Sequence, residues 1–269
     1  MKAGTDGPGS PAERVRRTML RTIVRFGLVE EGDRILVAVS GGKDSLALLE
    51  MLLGARRRAP VRFDLLPFHL DAGWPGDDGA ALLEWSRGLG APLAIERHDV
   101  RTLVERAQAR DPRVSACALC SRLRRGILHS TAVRLGCNKL ALGHHREDAL
   151  QTLLLNLLYA GRLQAMPARY ASRDGRLVVV RPLVECAEAD VAAHAAVSGC
   201  PESPPVACAL RESRKRARVE RLLSDLEREI PDVRSVMLAA LGNVRPTHLL
   251  DPEVAAAWEE AAPRFPPRR

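Results

Sequence analysis

The sequence predicts an α/β fold: a doubly wound, mainly parallel sheet with helices on both faces, plus a small helical C-terminal region. Residues 35–39 form an unbroken apolar run, I-L-V-A-V, which is typical of a strand buried on both faces. From Leu46 onward the leucines recur three and four positions apart, as on one face of a helix. Later segments repeat this change from a short apolar run to helical spacing. Such alternation favours parallel strands that are joined by helical crossovers.

The expected elements follow in order along the chain. Strands are predicted at residues 35–39, 63–70, 92–100, 139–143 and 177–184. Helices are predicted at residues 11–26, 80–89, 102–110, 188–198 and 231–243, with further helices that open after Ser45, at Cys117 and after Gly143. The helix after Gly143 is the clearest, because its leucines at 150, 153, 154, 157 and 158 share one helical face.

Local signals support these boundaries. The first helix is basic and leads into the first strand. Three consecutive arginines at 56–58 end the second helix, where the helix dipole favours positive charge. Asp111 and Pro112 close the next strand and helix unit, since proline cannot continue a helix. Three prolines between residues 200 and 207 mark a loop before the C-terminal helices.

Composition describes a globular protein with an excess of positive charge. Of the 269 residues, 46% are hydrophobic and 28% are charged, and the net charge is +8. Residues 1–30 lack the apolar core of a secretory signal, and no apolar run is long enough to span a membrane. We therefore expect a cytoplasmic protein with no membrane partner. The charge favours a polyanionic partner, although an arginine-rich solvated surface would give the same balance.

Residues 40–45, S-G-G-K-D-S, have the features of a phosphate-binding turn between a strand and a helix. Gly41 and Gly42 allow backbone conformations in which main-chain N–H groups point at one spot. The helix N-terminus adds its own N–H groups and positive dipole end, and Lys43 adds a full charge. Only four of the 41 basic residues are lysines, so a lysine here indicates that a compact charge is needed. A purely structural glycine turn is the alternative.

Acidic residues follow two other predicted strands, at the edge where a parallel sheet binds ligands. Asp71 ends the second strand and is placed to face a nucleotide, although an aspartate there is also a common turn former. Glu147 and Asp148 open the helix after the fourth strand, where they would position Mg²⁺ or phosphate, or simply complement the helix dipole. His144 and His145 are adjacent and point different ways, which argues against a shared zinc ion and places both near a substrate instead.

The cysteine spacing indicates metal or sulfur chemistry. In a reducing compartment, six cysteines are not expected to form a disulfide framework. Cys117 and Cys120 form a C-x-x-C motif that opens a helix beside several arginines. This arrangement suits a metal, a cluster or a redox pair, and two small buried thiols are the structural alternative. Cys208 precedes the densest basic segment, residues 211–221, which is either a phosphate-backbone contact or a solvated helix.

Several segments resemble the tRNA 2-thiocytidine synthetases, the TtcA family, in the same order and with similar spacing from about residue 15 to residue 251. The first segment, S-G-G-K-D-S, also resembles the pyrophosphate loop (PP-loop) of a wider superfamily of ATP-dependent adenylating enzymes. The other segments are H-L-D-A-G-W-P-G at 69–76, C-A-L-C-S-R-L-R-R-G-I-L at 117–128, A-L-G-H-H-R-E-D at 141–148, V-V-V-R-P-L at 178–183 and N-V-R-P-T-H-L-L-D at 243–251. The segment with the two cysteines is the most specific.

The resemblance implies ATP-dependent thiolation of cytidine 32 in the tRNA anticodon loop. ATP would adenylate the C2 oxygen of cytosine, and sulfur from a cysteine desulfurase or another donor would be delivered through a [4Fe–4S] cluster. The implied cluster ligands are Cys117, Cys120 and Cys208, which leave one iron without a protein ligand. The implied catalytic residues are Arg124 and Asp148, with Glu147 standing where aspartate is usual. The implied ATP-binding residues, acting with Mg²⁺, are Ser40, Gly41, Gly42, Lys43, Asp44, Ser45 and Asp71.

We expect the chain to divide into two tails, a PP-loop domain and a helical region. Residues 1–10 would be a disordered tail, and residues 11–185 the PP-loop α/β domain with an adenine-nucleotide-α-hydrolase-like architecture and the C-x-x-C helix. Residues 186–251 would be a helical region with Cys208 and the basic segment, and residues 252–269 a tail. The expected partners are tRNA and a sulfur donor, and a homodimer is one expected assembly. No role is assigned to Cys137, Cys186 and Cys200.

Two other interpretations stay open at this point. An adenylating enzyme like tRNA-lysidine synthetase would use the same phosphate loop but would need none of the three cysteines. A zinc-stabilised nucleic-acid-binding module would explain the cysteines and the basic segment but would give Lys43 no role. A brown iron–sulfur chromophore would separate the enzyme implied by the resemblance from both.

Overall fold

The computed structural model describes residues 9–75, 79–201 and 214–261. Within these ranges one sheet has six strands in the order β3-β2-β1-β4-β6-β5. Its strands are β1 (Arg34–Ala38), β2 (Asp64–Asp71), β3 (Ala94–Arg97), β4 (Lys139–Ala141), β5 (Arg169–Ala171) and β6 (Val178–Val180). Every pairing is parallel except that of β5 with β6. The predicted mainly parallel α/β fold is therefore confirmed.

Helices cover the sheet and continue beyond it. They are α1 (Pro11–Phe26), α2 (Lys43–Arg56), α3 (Ala80–Gly88), α4 (Val100–Arg110), α5 (Ala116–Arg134), α6 (Arg146–Tyr159), α7 (Glu188–Val197), α8 (Arg214–Glu229), α9 (Val233–Leu241) and α10 (Pro252–Ala261). A short 3-10 helix spans Pro246–His248. None of the helices in the described ranges combines the length and apolar character that a membrane crossing requires.

The apolar run of β1 supplies both faces of the sheet, as the sequence predicts. Ile35 and Val37 lie in a core that includes residues of α1 and α2. Leu36 points to the opposite face, where it joins a core with Leu128 and Ala132 of α5. Because successive strand residues alternate between faces, a strand covered on both sides is apolar throughout.

Two strands are less than half as long as predicted, whereas the other three lie within two residues of their predicted bounds. The strand predicted at 177–184 covers only Val178–Val180, because the chain leaves the sheet at Arg181. The strand predicted at 92–100 is reduced to Ala94–Arg97, and α4 follows after Asp99, whose side chain accepts a hydrogen bond from the Thr102 N–H. Strand β5 was not predicted at all, because three residues are too few to show a hydrophobic period.

The C-terminal region contains more helix than predicted. The first ten residues of the segment predicted as a tail at 252–269 form α10, and the division of the chain into domains stays a prediction. Much of the basic segment belongs to α8, which packs on α6 through an apolar cluster. The predicted tail at residues 1–10 lies almost wholly outside the described residues, as does Cys208.

The strand order locates the ligand crevice. From β1 the chain adds β2 and β3 on one side, whereas β4 pairs with β1 on the other side. In an open parallel sheet, ligands bind outside the carboxyl ends of the strands where the order reverses. The loops after β1 and β4 therefore frame the expected site.

Candidate active site

The predicted phosphate turn is the loop between β1 and α2. Gly41 has a φ of 82°, a region that glycine adopts without strain. Gly42 precedes α2 and offers no side chain to the first amides of the helix. The Ser45 hydroxyl accepts a hydrogen bond from the Ser40 N–H at 2.9 Å and donates one to the Gly42 carbonyl at 2.9 Å. The loop thus holds its own shape while the helix N-terminus faces the crevice, as anion binding requires.

Lys43 lies at the start of α2 between two carboxylates. Its Nζ is 2.9 Å from Glu188 Oε1 and 3.1 Å from Asp44 Oδ1. Burial would lower the pKa of the ammonium group, but the hydrogen bond to Glu188 and the charge of Asp44 outweigh burial and raise it. The lysine is therefore charged, and a phosphate group that bound here would replace a carboxylate as its partner.

The loop after β4 rests directly on the phosphate loop. A Cβ atom on Gly143 would lie 2.9 Å from the Asp44 carbonyl oxygen and 3.0 Å from the Ser45 nitrogen. These are backbone atoms that cannot rotate away, so the position has no room for a side chain. This close approach brings His144 and His145 to the same crevice as Lys43.

His145 and Glu147 form a buried pair where α6 begins. His145 Nδ1 lies 3.3 Å from Glu147 Oε2, and the Glu188 N–H donates to the same carboxylate at 2.8 Å. Burial would raise the pKa of Glu147, but the neighbouring His145 and the hydrogen bonds from Arg146 lower it to about 2. Burial would lower the pKa of His145, but Glu147 and Asp148 raise it. Glu147 is thus a charged link between α6 and α7.

Asp148 is more open to a ligand than Glu147. Its side chain is 21% exposed, whereas that of Glu147 is 6% exposed. Asp148 accepts a hydrogen bond from the His145 N–H at 3.2 Å, and so completes a capping box. This difference in access supports Asp148 over Glu147 as the catalytic acid, a role that stays a prediction.

Cys117 and Cys120 are in the first turn of α5, and both are half-buried. Their spacing of three places them on the same side of the helix, and the helix N-terminus favours thiolates. These two residues fit part of a cluster site. The third predicted ligand, Cys208, lies outside the described residues. Among the residues that are described, no three His, Cys, Asp or Glu side chains are arranged to hold a metal ion.

The start of α5 lies at the same edge of the sheet as the phosphate loop. Cys120 packs against an apolar cluster that includes Ala72 and Trp74, which follow the end of β2. Strand β2 is parallel to β1 and pairs with it, so both strands end at one edge. The structure therefore brings the two predicted motifs to a common edge of the sheet.

Two other predicted site residues have less distinctive surroundings. Asp71 is buried and accepts a hydrogen bond from the Gly73 N–H at 2.8 Å, the geometry of an Asx turn. This is the turn-forming role that the sequence also allowed, and its contact with a nucleotide stays a prediction. Arg124 is half-buried on α5, one turn after Cys120, and its catalytic role likewise stays a prediction.

A cavity of about 430 Å³ lies between α5 and the β4, β6 and β5 side of the sheet. The helix contributes Arg122, Arg125 and His129, and their spacing of i, i+3 and i+7 places them on one helical face. Tyr170 and Arg173 line the other side. The cavity is therefore basic, and an aromatic ring lies at its wall.

Arg181 is a site residue that sequence reasoning missed. It follows β6 and is only 7% exposed. Its Nε donates a hydrogen bond to His144 Nδ1 at 3.2 Å, and its guanidinium lies over the Tyr170 ring, 5.2 Å from the centroid. The sequence around it, V-V-V-R-P-L, gives no sign that this arginine is buried, because the burial depends on the loop after β4.

Comparison with known proteins decides the family. The PP-loop domain model matches residues 11–201. A tRNA-cytidine(32) 2-sulfurtransferase of Anaeromyxobacter dehalogenans is 45% identical over 257 residues, which cover 94% of this chain and 88% of the relative. The chain belongs to the tRNA-cytidine(32) 2-sulfurtransferase family. A second member, from Sorangium cellulosum, is 47% identical over 238 residues, with coverage of 88% and 83%.

The fold agrees with a solved structure. The U34-tRNA thiolase NcsA of Methanococcus maripaludis, which was determined with its [4Fe–4S] cluster, matches with a TM-score of 0.70. The match covers 91% of this chain and 84% of that chain at 20% identity, which supports a common fold alone. The resemblance to the tRNA-cytidine(32) 2-sulfurtransferases and the PP-loop architecture are thus both confirmed. The glycine turn at 40–45 lies inside the matched domain and is called the PP-loop below, and its binding of ATP stays a prediction.

Proposed function

We propose that this chain thiolates cytidine 32 of tRNA at the expense of ATP, through an adenylated C2 oxygen. The observation that carries the proposal is the common edge shared by the PP-loop and the C-x-x-C helix, in a chain 45% identical to a tRNA-cytidine(32) 2-sulfurtransferase. A single base at that edge would be within reach of both motifs. A lysidine synthetase would not need the second motif, and a zinc module would not need the first.

The first half of the reaction is adenylation. The cytosine C2 oxygen attacks the α-phosphorus of ATP, an O–P bond forms, and the bond to the pyrophosphate oxygen breaks. Lys43 and the N–H groups at the start of α2 bind the phosphates and the departing pyrophosphate. Mg²⁺, bound with the phosphates near Asp44, would neutralise part of their charge. The C2 oxygen alone is a poor leaving group, and its bond to the AMP group allows it to leave as part of AMP.

The second half replaces oxygen with sulfur. A sulfur nucleophile attacks C2, a C–S bond forms, and the C–O bond to AMP breaks. A [4Fe–4S] cluster held by Cys117, Cys120 and Cys208 would carry that sulfur at the oxidation level of sulfide, and sulfur from a persulfide donor would first need two electrons from a thiol reductant. In the proposal Arg124 balances the negative charge on the departing AMP, and Asp148 orients the groups beside the PP-loop.

Basic surfaces support tRNA as the substrate. Helix α8 exposes Lys215, Arg216 and Arg218, and α5 exposes Arg122 and Arg125 beside the cavity. Arginine and lysine contacts to phosphates give binding that is strong and sensitive to salt. A cysteine desulfurase or another sulfur donor, a cytoplasmic location and a homodimer complete the proposal.

Anaerobic reconstitution tests the proposal. The protein with iron and sulfide should be brown, with absorbance near roughly 400 nm, and should convert unmodified tRNA to 2-thiocytidine when ATP is added. Mass spectrometry of the digested nucleosides measures the product. Cys208→Ala should abolish the product and spare ATP binding, whereas retained product would refute Cys208 as a ligand. A colourless, zinc-loaded protein that binds tRNA without thiolating it would favour the nucleic-acid-binding module.

A further inference from the structure

We infer that His144 selects cytosine by donating a hydrogen bond from its Nε2 to N3 of the base. This inference rests on the proposed function and adds how the chain recognises the base to be thiolated. It starts from the contact between Arg181 and His144, which nothing in the phosphate loop or the cysteine motif requires. The consequences of that contact follow from hydrogen-bond chemistry alone.

The contact between Arg181 and His144 fixes which nitrogen of the histidine ring carries the proton. Arg181 Nε lies 3.2 Å from His144 Nδ1. A guanidinium group has only donors, so Nδ1 must accept and cannot carry a proton itself. The single proton of the neutral ring is then on Nε2. His144 therefore presents an N–H donor, and no acceptor, at the far side of its ring.

Arg181 is itself held in place from two sides. Its Nη1 donates to the Pro167 carbonyl oxygen at 2.8 Å, and its guanidinium lies over Tyr170. The arginine is almost wholly buried, so solvent does not compete for these donors. The orientation of His144 is consequently set before a substrate arrives, which is what selective recognition of a base requires.

The neutral state of the ring agrees with its surroundings. Burial lowers the pKa of His144 to about 4, and the positive charge of Arg181 acts in the same direction. The neighbouring His145 differs, because Glu147 and Asp148 raise its pKa. Only His144 of this pair is therefore suited to fixed, neutral donation at the pH of the reaction.

His144 is also in the right place. It follows Gly143, which packs against the backbone of the PP-loop. Arg181, which contacts His144, also lies over Tyr170, and that ring lines the basic cavity beside α5. His144 is thus linked to the phosphate loop on one side and to the basic cavity on the other. A base that must meet both ATP and sulfur would occupy this region.

The donor distinguishes cytosine from uracil. Cytosine N3 carries a lone pair, so it can accept a hydrogen bond from His144 Nε2. Uracil N3 carries a hydrogen, so with uracil two N–H groups would face each other without a hydrogen bond. Leaving a buried donor unpaired costs about 1–3 kcal/mol, which corresponds to about a 5- to 150-fold preference. N3 also gains electron density when sulfur adds to the adjacent C2, and a donor there would stabilise that change.

Anticodon stem-loops that differ only at position 32 test the inference. The reconstituted enzyme would be given ATP, sulfide and either the C32 or the U32 stem-loop, and 2-thiocytidine and 2-thiouridine would be measured by mass spectrometry. The native enzyme should strongly prefer C32. His144→Gln should narrow that preference by about tenfold, because a glutamine amide can turn to present either a donor or an acceptor.

Arg181→Met provides an independent variant. Without the arginine donor, the proton of His144 can move to Nδ1, which leaves Nε2 as an acceptor. The ratio of the C32 rate to the U32 rate should therefore fall, although Arg181 does not touch the base. The matched control is Arg122→Gln, an exposed arginine of the cavity that should lower both rates by the same factor. Circular dichroism and the iron–sulfur absorbance would establish that each variant is folded and loaded.

Failure of base recognition by His144 and failure of the proposed function give different results. If His144→Gln and Arg181→Met both lower the C32 and U32 rates equally, His144 does not read N3 and the inference fails. If the native protein makes no 2-thiocytidine at all, the proposed function fails instead. Binding of the two stem-loops with a non-hydrolysable ATP analogue gives a readout without turnover, in which the native C32 preference should fall in both variants.

Discussion

Lys43 Nζ and the Glu188 carboxylate are 2.9 Å apart, so α2 and α7 are joined across the mouth of the PP-loop. The two side chains are 39% and 41% exposed, and a pair this open contributes little to stability. A phosphate group that bound at the PP-loop would compete with Glu188 for the positive charge of Lys43, so we expect the pair to affect ligand binding.

Removing the competing carboxylate should tighten ATP binding. We expect Glu188→Gln to lower the Kd for ATP by about two- to fivefold, as the loss of an exposed ion pair of about 0.5–1 kcal/mol implies. Titration calorimetry measures this change. Asp190→Asn is the matched control on α7, since Asp190 pairs with Arg14 and should leave the Kd unchanged. A weaker affinity in Glu188→Gln would show that Glu188 assists the nucleotide.

Lys43 should be needed for adenylation. Lys43→Ala should slow pyrophosphate release by roughly 10²–10³-fold, because a charged donor to the transferring phosphates is lost. The iron–sulfur absorbance should not change. Arg57→Ala, at the exposed opposite end of α2, should keep the native rate. Unchanged turnover in Lys43→Ala would exclude the phosphate role.

Gly143 should tolerate no side chain. Gly143→Ala would push a Cβ against the Asp44 backbone, so the PP-loop must shift. We expect an unfolding free energy lower by about 1–3 kcal/mol and an ATP Kd at least about tenfold higher. Gly88→Ala on α3 is the control, since a Cβ there meets no atom within 4 Å. Urea denaturation measures the unfolding free energy of both variants, and calorimetry measures their Kd for ATP. If Gly143→Ala matched Gly88→Ala in both quantities, the close packing at Gly143 would be disproved.

Glu147 should contribute stability that acid removes. Its pKa is 4.5 for an ordinary glutamate and about 2 in the fold, so the contribution is complete above pH 4.5 and declines as the pH falls toward 2. At neutral pH it should be on the order of 3 kcal/mol. Urea denaturation should therefore show Glu147→Gln far less stable than the native chain at pH 7, with a smaller difference at pH 3.5. Glu84→Gln, on the exposed face of α3, should show no such pattern.

The cysteines should differ in reactivity. Burial raises the pKa of the Cys137 thiol and raises that of Cys186 to about 12, whereas Cys117 and Cys120 are half-exposed. In iron-free protein at pH 8, iodoacetamide should label Cys117 and Cys120 at least about 100-fold faster than Cys186. Peptide mass spectrometry measures the labelled fraction of each cysteine, in the folded chain without urea and in the unfolded chain with urea. Rapid labelling of Cys186 in the folded chain would contradict its burial.

Local chemistry made part of this site predictable. The glycines of the PP-loop, the helix that follows and the two thiols at the start of α5 depend on neighbours within a few residues. The common face of Arg122, Arg125 and His129 follows from helical spacing alone, and all three line one cavity. Such features can be read before the fold is known.

Contacts between distant segments could not be predicted in this way. Lys43 and Glu188 are 145 residues apart in the sequence, and Glu147 receives a backbone hydrogen bond from α7 only because the fold places the helices together. The Arg181 contact with His144 depends equally on the neighbouring ends of β4 and β6. Strand β5 was invisible for a different reason, since its three residues are exposed and follow no period.

The outer strands of the sheet have a consequence for colloidal behaviour. On one side the sheet ends with β3, which has four residues, and on the other with β5, which has three and runs against its neighbour. Edge strands this short present few unpaired backbone N–H and C=O groups, so the strands of another molecule have few hydrogen-bond partners for edge-to-edge pairing. Concentrated solutions of the folded chain should consequently resist amyloid formation.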